Sequence, residues 1–305
     1  MQNRTGRQTG KHLIDMKQKL LFSLSLLSVI SVLFITGCEG DENRLTAQDS
    51  ADISEEAIID AYYQDLDDLA GVVVAAPSDS EYSGGRIATT ITINDSRFNC
   101  EGIVVTIEPD ETSTVEVPRG VITVDFGTGC SDLLGNVRKG KLIFTYEGHR
   151  FQNGSSLVTT TENYYINDIK LEGTRTSVNV TGSSVDAPKF NVILEDGKAT
   201  FEDGSYALRE SNITVSWIRE ENPTQDRLVI HDSSVASGVN RAGRSYVVSL
   251  LKQLEYKRFC PMATSGTKRY TLDGSKEITI DYGSGSCDTS VTVTINGVTR
   301  TISIG

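Results

Sequence analysis

The hydrophobic rhythm of the chain changes three times. Residues 20–35 (LLFSLSLLSVISVLFI) are apolar almost without break, with serine as the only polar type. Between residues 52 and 70, Ile58, Tyr62, Leu66 and Leu69 recur at intervals of four, four and three, which places them on one helical face. Asp52 followed by Glu55 reads as the capping box of this short helix, and Gly71 as its stop. After a linker with Pro77, Ser83 and the Gly84-Gly85 pair, the period falls to two. Residues 87–93 (IATTITI), 121–126 (VITVDF), 141–146 (KLIFTY) and 290–295 (SVTVTI) alternate and are rich in β-branched and aromatic residues. Turn pairs punctuate them: Asn153-Gly154, Asp196-Gly197, Asp203-Gly204, Asp273-Gly274 and Asn296-Gly297. The expected fold class is all-β, with an antiparallel sandwich or barrel-like body over residues 86–305 behind a short N-terminal helix and linker.

The first apolar run has a different meaning from a core helix. Lys17 and Lys19 precede it and Thr36-Gly37-Cys38 follow, the order of a secretory signal peptide over residues 1–37. A membrane span would need about 20 apolar residues. The ending Ile35-Thr36-Gly37-Cys38 matches a lipobox, so Cys38 is the expected site of lipidation and cleavage. Two or more acyl chains anchor stably, at about 0.8 kcal/mol per buried methylene. The expected location is therefore the outer membrane, lipid-anchored. Met16 is a candidate true start, because it shortens the leader from 37 residues to 22.

Charge divides the rest of the chain. The whole carries −12, yet residues 38–82 alone hold 13 acidic residues against one basic residue, Arg44. Residues 83–305 hold 27 acidic and 23 basic residues. Residues 38–85 are thus expected to be an acidic, solvated tether, and nucleic acid is an unexpected partner for want of a basic patch. Glu39, Asp41 and Glu42 follow the lipid site as a surface-export signal would. Asp65, Asp67 and Asp68 cluster, but without the glycine-turn loop of a calcium site they read as a solvated face.

An internal echo organises the body. Arg97-Phe98-Asn99-Cys100 is followed 30 residues later by Cys130 in VITVDFGTGC. Arg258-Phe259-Cys260 is followed 27 residues later by Cys287 in EITIDYGSGSC. Related units are therefore expected near 86–150 and 245–305. Four cysteines allow three pairings, and the repeat selects Cys100–Cys130 with Cys260–Cys287, the same bond made twice. Chain entropy gives about 3.5 kcal/mol for a loop of this size. A metal site would need clustered ligands such as CxxC, and no metal or cofactor is expected.

Residues that could carry chemistry are scattered. His149 and His231 stand on alternating strands, and neighbours such as His231 and Asp232 point to opposite faces. No GxSxG or HExxH motif occurs, and Ser249-x-x-Lys252 lacks the helix and partner motifs of its pattern. Asp125 and Asp281 precede equivalent Gly-x-Gly turns, where a structural role suits a repeated residue. Trp217, Tyr164 and Tyr165 are either core or a sugar-stacking platform.

Several blocks, ITVDFGTGC, NYYINDIKLEGTRT, SGVNRAGRSYVVSL, EYKRFC and DYGSGSCDTSVTVTINGVTRTISI, resemble uncharacterised surface lipoproteins of Bacteroidetes-type bacteria. The resemblance spans roughly residues 85–305 and implies a surface address and a β body only. The expected function is a non-enzymatic binding or structural module for a glycan or envelope protein. The alternative is a glycan-active hydrolase, which would need two carboxyls about 5–10 Å apart beside exposed aromatics.

Overall fold

The computed structural model describes residues 44–77, 88–100, 102–133, 135–180 and 187–304. The expected leader, Cys38, the Glu39–Asp41–Glu42 cluster and linker residues 78–85 lie outside them. Among the described residues no helix is long and apolar enough to cross a membrane.

Among the described residues one α-helix, α1 (Ala47–Ala75), precedes sixteen strands: β1 (Thr89–Thr90), β2 (Val104–Pro109), β3 (Arg119–Asp125), β4 (Cys130–Ser131), β5 (Val137–Glu147), β6 (Ser156–Ile166), β7 (Ile169–Asn179) and β8 (Lys189–Thr200). The series continues through β9 (Tyr206–Ile218), β10 (Arg227–Ile230), β11 (Val235–Val239), β12 (Ser245–Lys257), β13 (Ser265–Leu272), β14 (Lys276–Ser284), β15 (Ser290–Ile295) and β16 (Val298–Ser303). The body is all-β and antiparallel, and the strands form a single sheet in chain order. The short β4 pairs with β5, while β10 and β11 are two segments of one line between β9 and β12.

A sheet with one apolar face must cover it. Here the cover is α1 instead of a second sheet. Its side chains meet strands from β5 to β14: Asp65 bonds Arg138, Asp67 bonds Arg175, Glu56 bonds Arg209 and Lys268, and Asp49 bonds Lys276. The sheet therefore bends around the helix, and no residue from Asp52 to Val74 is exposed. Two apolar clusters result. One joins the C-terminal half of α1 to β2–β9, and the other joins Ile53 and Ala57 to β8–β15.

Four expectations need correction. The helix is not a short one over residues 52–70 within an acidic tether, because it spans 29 residues and packs inside the sheet. Its cap lies six residues before Asp52 and Glu55: Asp49 N–H donates to Thr46 Oγ1 (3.1 Å), and Thr46 N–H donates to Asp49 Oδ2 (2.8 Å). Gly71 does not stop the helix. A β-carbon there would run into the six-membered ring of Trp217, so glycine serves close packing. Asp196-Gly197 is likewise no hairpin turn but an irregularity within β8, where the register slips between Leu194 and Gly197.

The echo in the sequence has a matching geometry. Disulfides join Cys100 to Cys130 (Cα–Cα 5.7 Å) and Cys260 to Cys287 (5.5 Å), each bracketing a hairpin, β2–β3 and β13–β14. Asp125 and Asp281 do the same work in both copies: each Oδ1 accepts the backbone N–H two residues on, from Gly127 and Gly283, at 2.8 Å.

Candidate functional site

The helix carries eight acidic residues and no basic one. From Asp49 to Asp68 each receives a donor from the body. Asp49 binds Lys276 (2.6 Å) and Arg244 (3.1 Å), and Asp52 binds Arg244. Glu55 accepts the Arg241 backbone N–H (3.0 Å). Glu56 is shared by Arg209 (2.9 Å) and Lys268, and Asp60 by Arg209 and the Tyr256 hydroxyl. Asp67 grips Arg175 through two hydrogen bonds of 2.7 and 2.6 Å. Burial pushes the Asp60 carboxyl up, but Arg209 and Lys268 outweigh it and hold it below the usual range. Burial likewise works against the Lys268 ammonium, and Glu56 more than restores it.

A sequence signal for this arrangement exists, although the expectation of a solvated acidic face missed it. Arg209 falls on the same strand phase as the buried Ala207, Ile213 and Val215, and Lys268 on that of Tyr270 and Leu272. A cation in the core phase of an alternating strand needs a buried anion. Among the described residues α1 is a long acidic segment that can supply one.

Beside the middle of α1 lies a cavity of about 510 Å³. Its floor is one stripe of the helix: Ala57, Ile58, Ala61, Gln64, Asp65 and Asp68. At the Asp68 end the charges interlock. Arg138 bridges Asp65 (2.8 Å) and Asp132 (2.6 Å), and Arg97 bridges Asp68 (2.5 Å) and Asp95 (3.0 Å). Arg258 also reaches Asp95, at 2.8 Å. The arginines of the two Arg-Phe repeats thus converge on one carboxylate. Burial pushes Asp95 and Asp132 up, but their arginines hold both below the ordinary carboxylate range. At the opposite end, Ala57 and Ile58 belong to an apolar cluster with Leu228, Met262 and Ile304, all of which also line the cavity. Gln64, which also lines it, is 5 % exposed, and its Oε1, itself closed to solvent, has no hydrogen-bond partner among the described residues.

The residues singled out for chemistry do not assemble there. Trp217 lines the cavity, with its indole N–H donated to Asp226 (3.0 Å) and its ring edge-on to Phe151. Tyr164 is fully buried against Phe126, and Tyr165 lies under Lys139, so the three aromatics form no platform. His149 Nε2 contacts the Val115 carbonyl oxygen (2.7 Å). His231 Nε2 is 2.8 Å from the hydroxyl of buried Ser216, a pair that adjacency could not suggest, and neither lines the cavity. Burial and Lys189 lower the His231 pKa. Ser249 and Lys252 lie on β12, not on a helix. Asp65, Asp67 and Asp68 are all engaged by arginine, and among the described residues no group of potential metal ligands occurs.

Compared with protein-family models, curated proteins and solved structures, the chain matches none.

Proposed function

We propose that this chain is an envelope lipoprotein, anchored in the outer membrane through lipid on Cys38, whose β body binds a ligand in the cavity beside α1. The anchor rests on the apolar run 20–35 ending in Ile35-Thr36-Gly37-Cys38, and surface exposure on Glu39, Asp41 and Glu42. A role for this body among the Bacteroidetes-type surface lipoproteins that it resembles agrees with both.

The occupancy of the cavity's carboxylates carries the choice of binding over glycan hydrolysis. A carboxylate-pair hydrolase needs one carboxyl held protonated near neutral pH. Asp132 is held in the opposite direction by Arg138. Asp65 and Asp68 are clamped by arginines, and Asp226 accepts from Trp217 and from the Glu220 N–H, each at 3.0 Å. Each of these four carboxylates already accepts a hydrogen bond from a neighbouring side chain. A glycan or envelope component is then held, not cut.

The test equilibrates the membrane-anchored chain with envelope extract and with glycan arrays, and identifies retained molecules by mass spectrometry. Retention by the wild type and its loss in Ala61→Trp supports binding in the cavity. Cleavage of a glycan, abolished by Asp65→Asn or Asp132→Asn, would install the hydrolase instead. For the anchor, labelling with an alkyne fatty acid should vanish in Cys38→Ala, and equal labelling of the variant would refute it.

A further inference from the structure

We infer that the Cys260–Cys287 disulfide is a thiol-exchange site, attacked at Cys287 by a small thiol, and that opening it releases the turn at Phe259 in the cavity wall. The inference is independent of what the cavity binds. The fold makes the same bond twice, but the two copies differ in exposure. Cys130 is 2 % exposed and sits in an apolar cluster with Phe98 and Phe126. Cys287 is exposed, and so are its neighbours Ser284, Ser286 and Asp288, whose side chains are short. An attacking thiolate must reach a sulfur, so buried disulfides resist exchange and exposed ones are labile.

The two Arg-Phe repeats diverge in the same sense. Phe98 is buried and stacked on Phe126, whereas Phe259 is 46 % exposed and holds a φ of 65°. A bulky residue in that left-handed region is strained and persists only where its surroundings impose it. Cys260, the next residue, imposes it twice: its sulfur is tied to Cys287, and its N–H donates to the Lys257 carbonyl (3.1 Å). The oxidised form therefore bears a cost that the reduced form can shed. Phe259, Cys260, Pro261 and Met262 all line the cavity, so the turn that relaxes is part of its wall. The rest stays in place. The ladders of β14 with β13 and β15 do not depend on the bond, and Gly285 is pinned on either side of its own residue. Its N–H donates to the Thr264 carbonyl (2.8 Å), and its carbonyl accepts from Lys257 Nζ (2.6 Å).

The exchange balances in two steps. A thiolate attacks Cys287 Sγ, the new mixed disulfide forms as the Cys260–Cys287 bond breaks, and the electron pair leaves on Cys260, which takes a proton from water. A second thiolate attacks the mixed disulfide, releases Cys287 as a thiolate and departs with the first as an external disulfide. Two thiols are oxidised and one protein disulfide is reduced.

The test exposes the full chain in its membrane to reduced glutathione at neutral pH. Samples are quenched with acid, alkylated and mapped by mass spectrometry. Glutathione is expected on Cys287 with Cys260 alkylated, and this pair should open at least about tenfold faster than Cys100–Cys130. Amide hydrogen exchange over residues 257–262 should rise in the reduced protein while melting stays cooperative. Phe259→Gly removes the left-handed cost from the oxidised form, so it should lower the equilibrium constant for reduction about fivefold or more. Equal opening rates for the two pairs, adducts confined to Cys260, or an unchanged equilibrium constant in Phe259→Gly would overturn the inference. So would reaction with a CxxC dithiol protein but none with glutathione, which excludes a small thiol. The wild-type adduct map decides the matter even if the variant fails to fold.

Discussion

At Gly71 a missing side chain does two jobs at once: it lets α1 continue, and it makes room for Trp217. In an exposed helix, replacing glycine by alanine stabilises by about 1 kcal/mol. Here the sign should reverse. Gly71→Ala is expected to cost roughly 1–3 kcal/mol through overpacking, read as a lower melting temperature, and a smaller residue at Trp217 should restore part of it. A stabilised Gly71→Ala would mean that the helix and Trp217 do not touch. From the sequence the glycine looked like a stop, because its partner lies on β9, far along the chain. Asp125 and Asp281 were legible, since their hydrogen bonds stay within the repeated turn. Arg209 makes the same point with charge. It is 5 % exposed and holds both Glu56 and Asp60. Arg209→Met should cost about 3–5 kcal/mol by leaving buried carboxylates without their partner. Chemical denaturation would show this as a lower midpoint, and an unchanged midpoint would disprove the burial of that pair.

At the scale of the element, α1 was half legible. Leu66 and Leu69 are buried as the helical spacing requires, but Ile58 and Tyr62 only partly so, and both line the cavity. The acidic residues mislead because an unpaired carboxylate belongs in water, and the cations that pair with them come from strands distant in sequence. This pairing fixes how stability should vary with pH. Asp49 and Asp60 titrate below the ordinary carboxylate value when folded: burial opposes this, while Lys276 and Thr46 at Asp49, and Arg209 and Lys268 at Asp60, prevail. A depressed acid contributes stability that is full above the unfolded pKa and disappears as pH falls through the folded one. Melting temperature should therefore hold near neutrality and fall steeply below about pH 4. Lys268 is shifted upward, its burial outweighed by Glu56, so its contribution persists to at least about pH 10. A melting temperature that rises on acidification below pH 4 would contradict the carboxylate–cation ladder.

At the scale of the molecule, the period-two pattern and the turn pairs foretold an antiparallel all-β body, and the echo foretold which cysteines meet. What pattern alone could not tell is what faces the sheet. A sandwich would use a second sheet, and alternation looks the same whether the opposite layer is strand or helix. Here α1 supplies that layer, neutralises the inner cations and provides the cavity floor. Of the residues expected to be a tether, Ala47–Ala75 are therefore part of the core, and the body cannot be cut at residue 86 without exposing Arg138, Arg175, Arg209 and Lys268. The most direct measurement is thermal unfolding of residues 44–305 beside residues 86–305 alone. Cooperative unfolding is expected of the longer chain, none of the shorter, and recovery when a peptide of residues 44–77 is added. A shorter chain that unfolds cooperatively at the same temperature would show that the helix is dispensable and contradict this account.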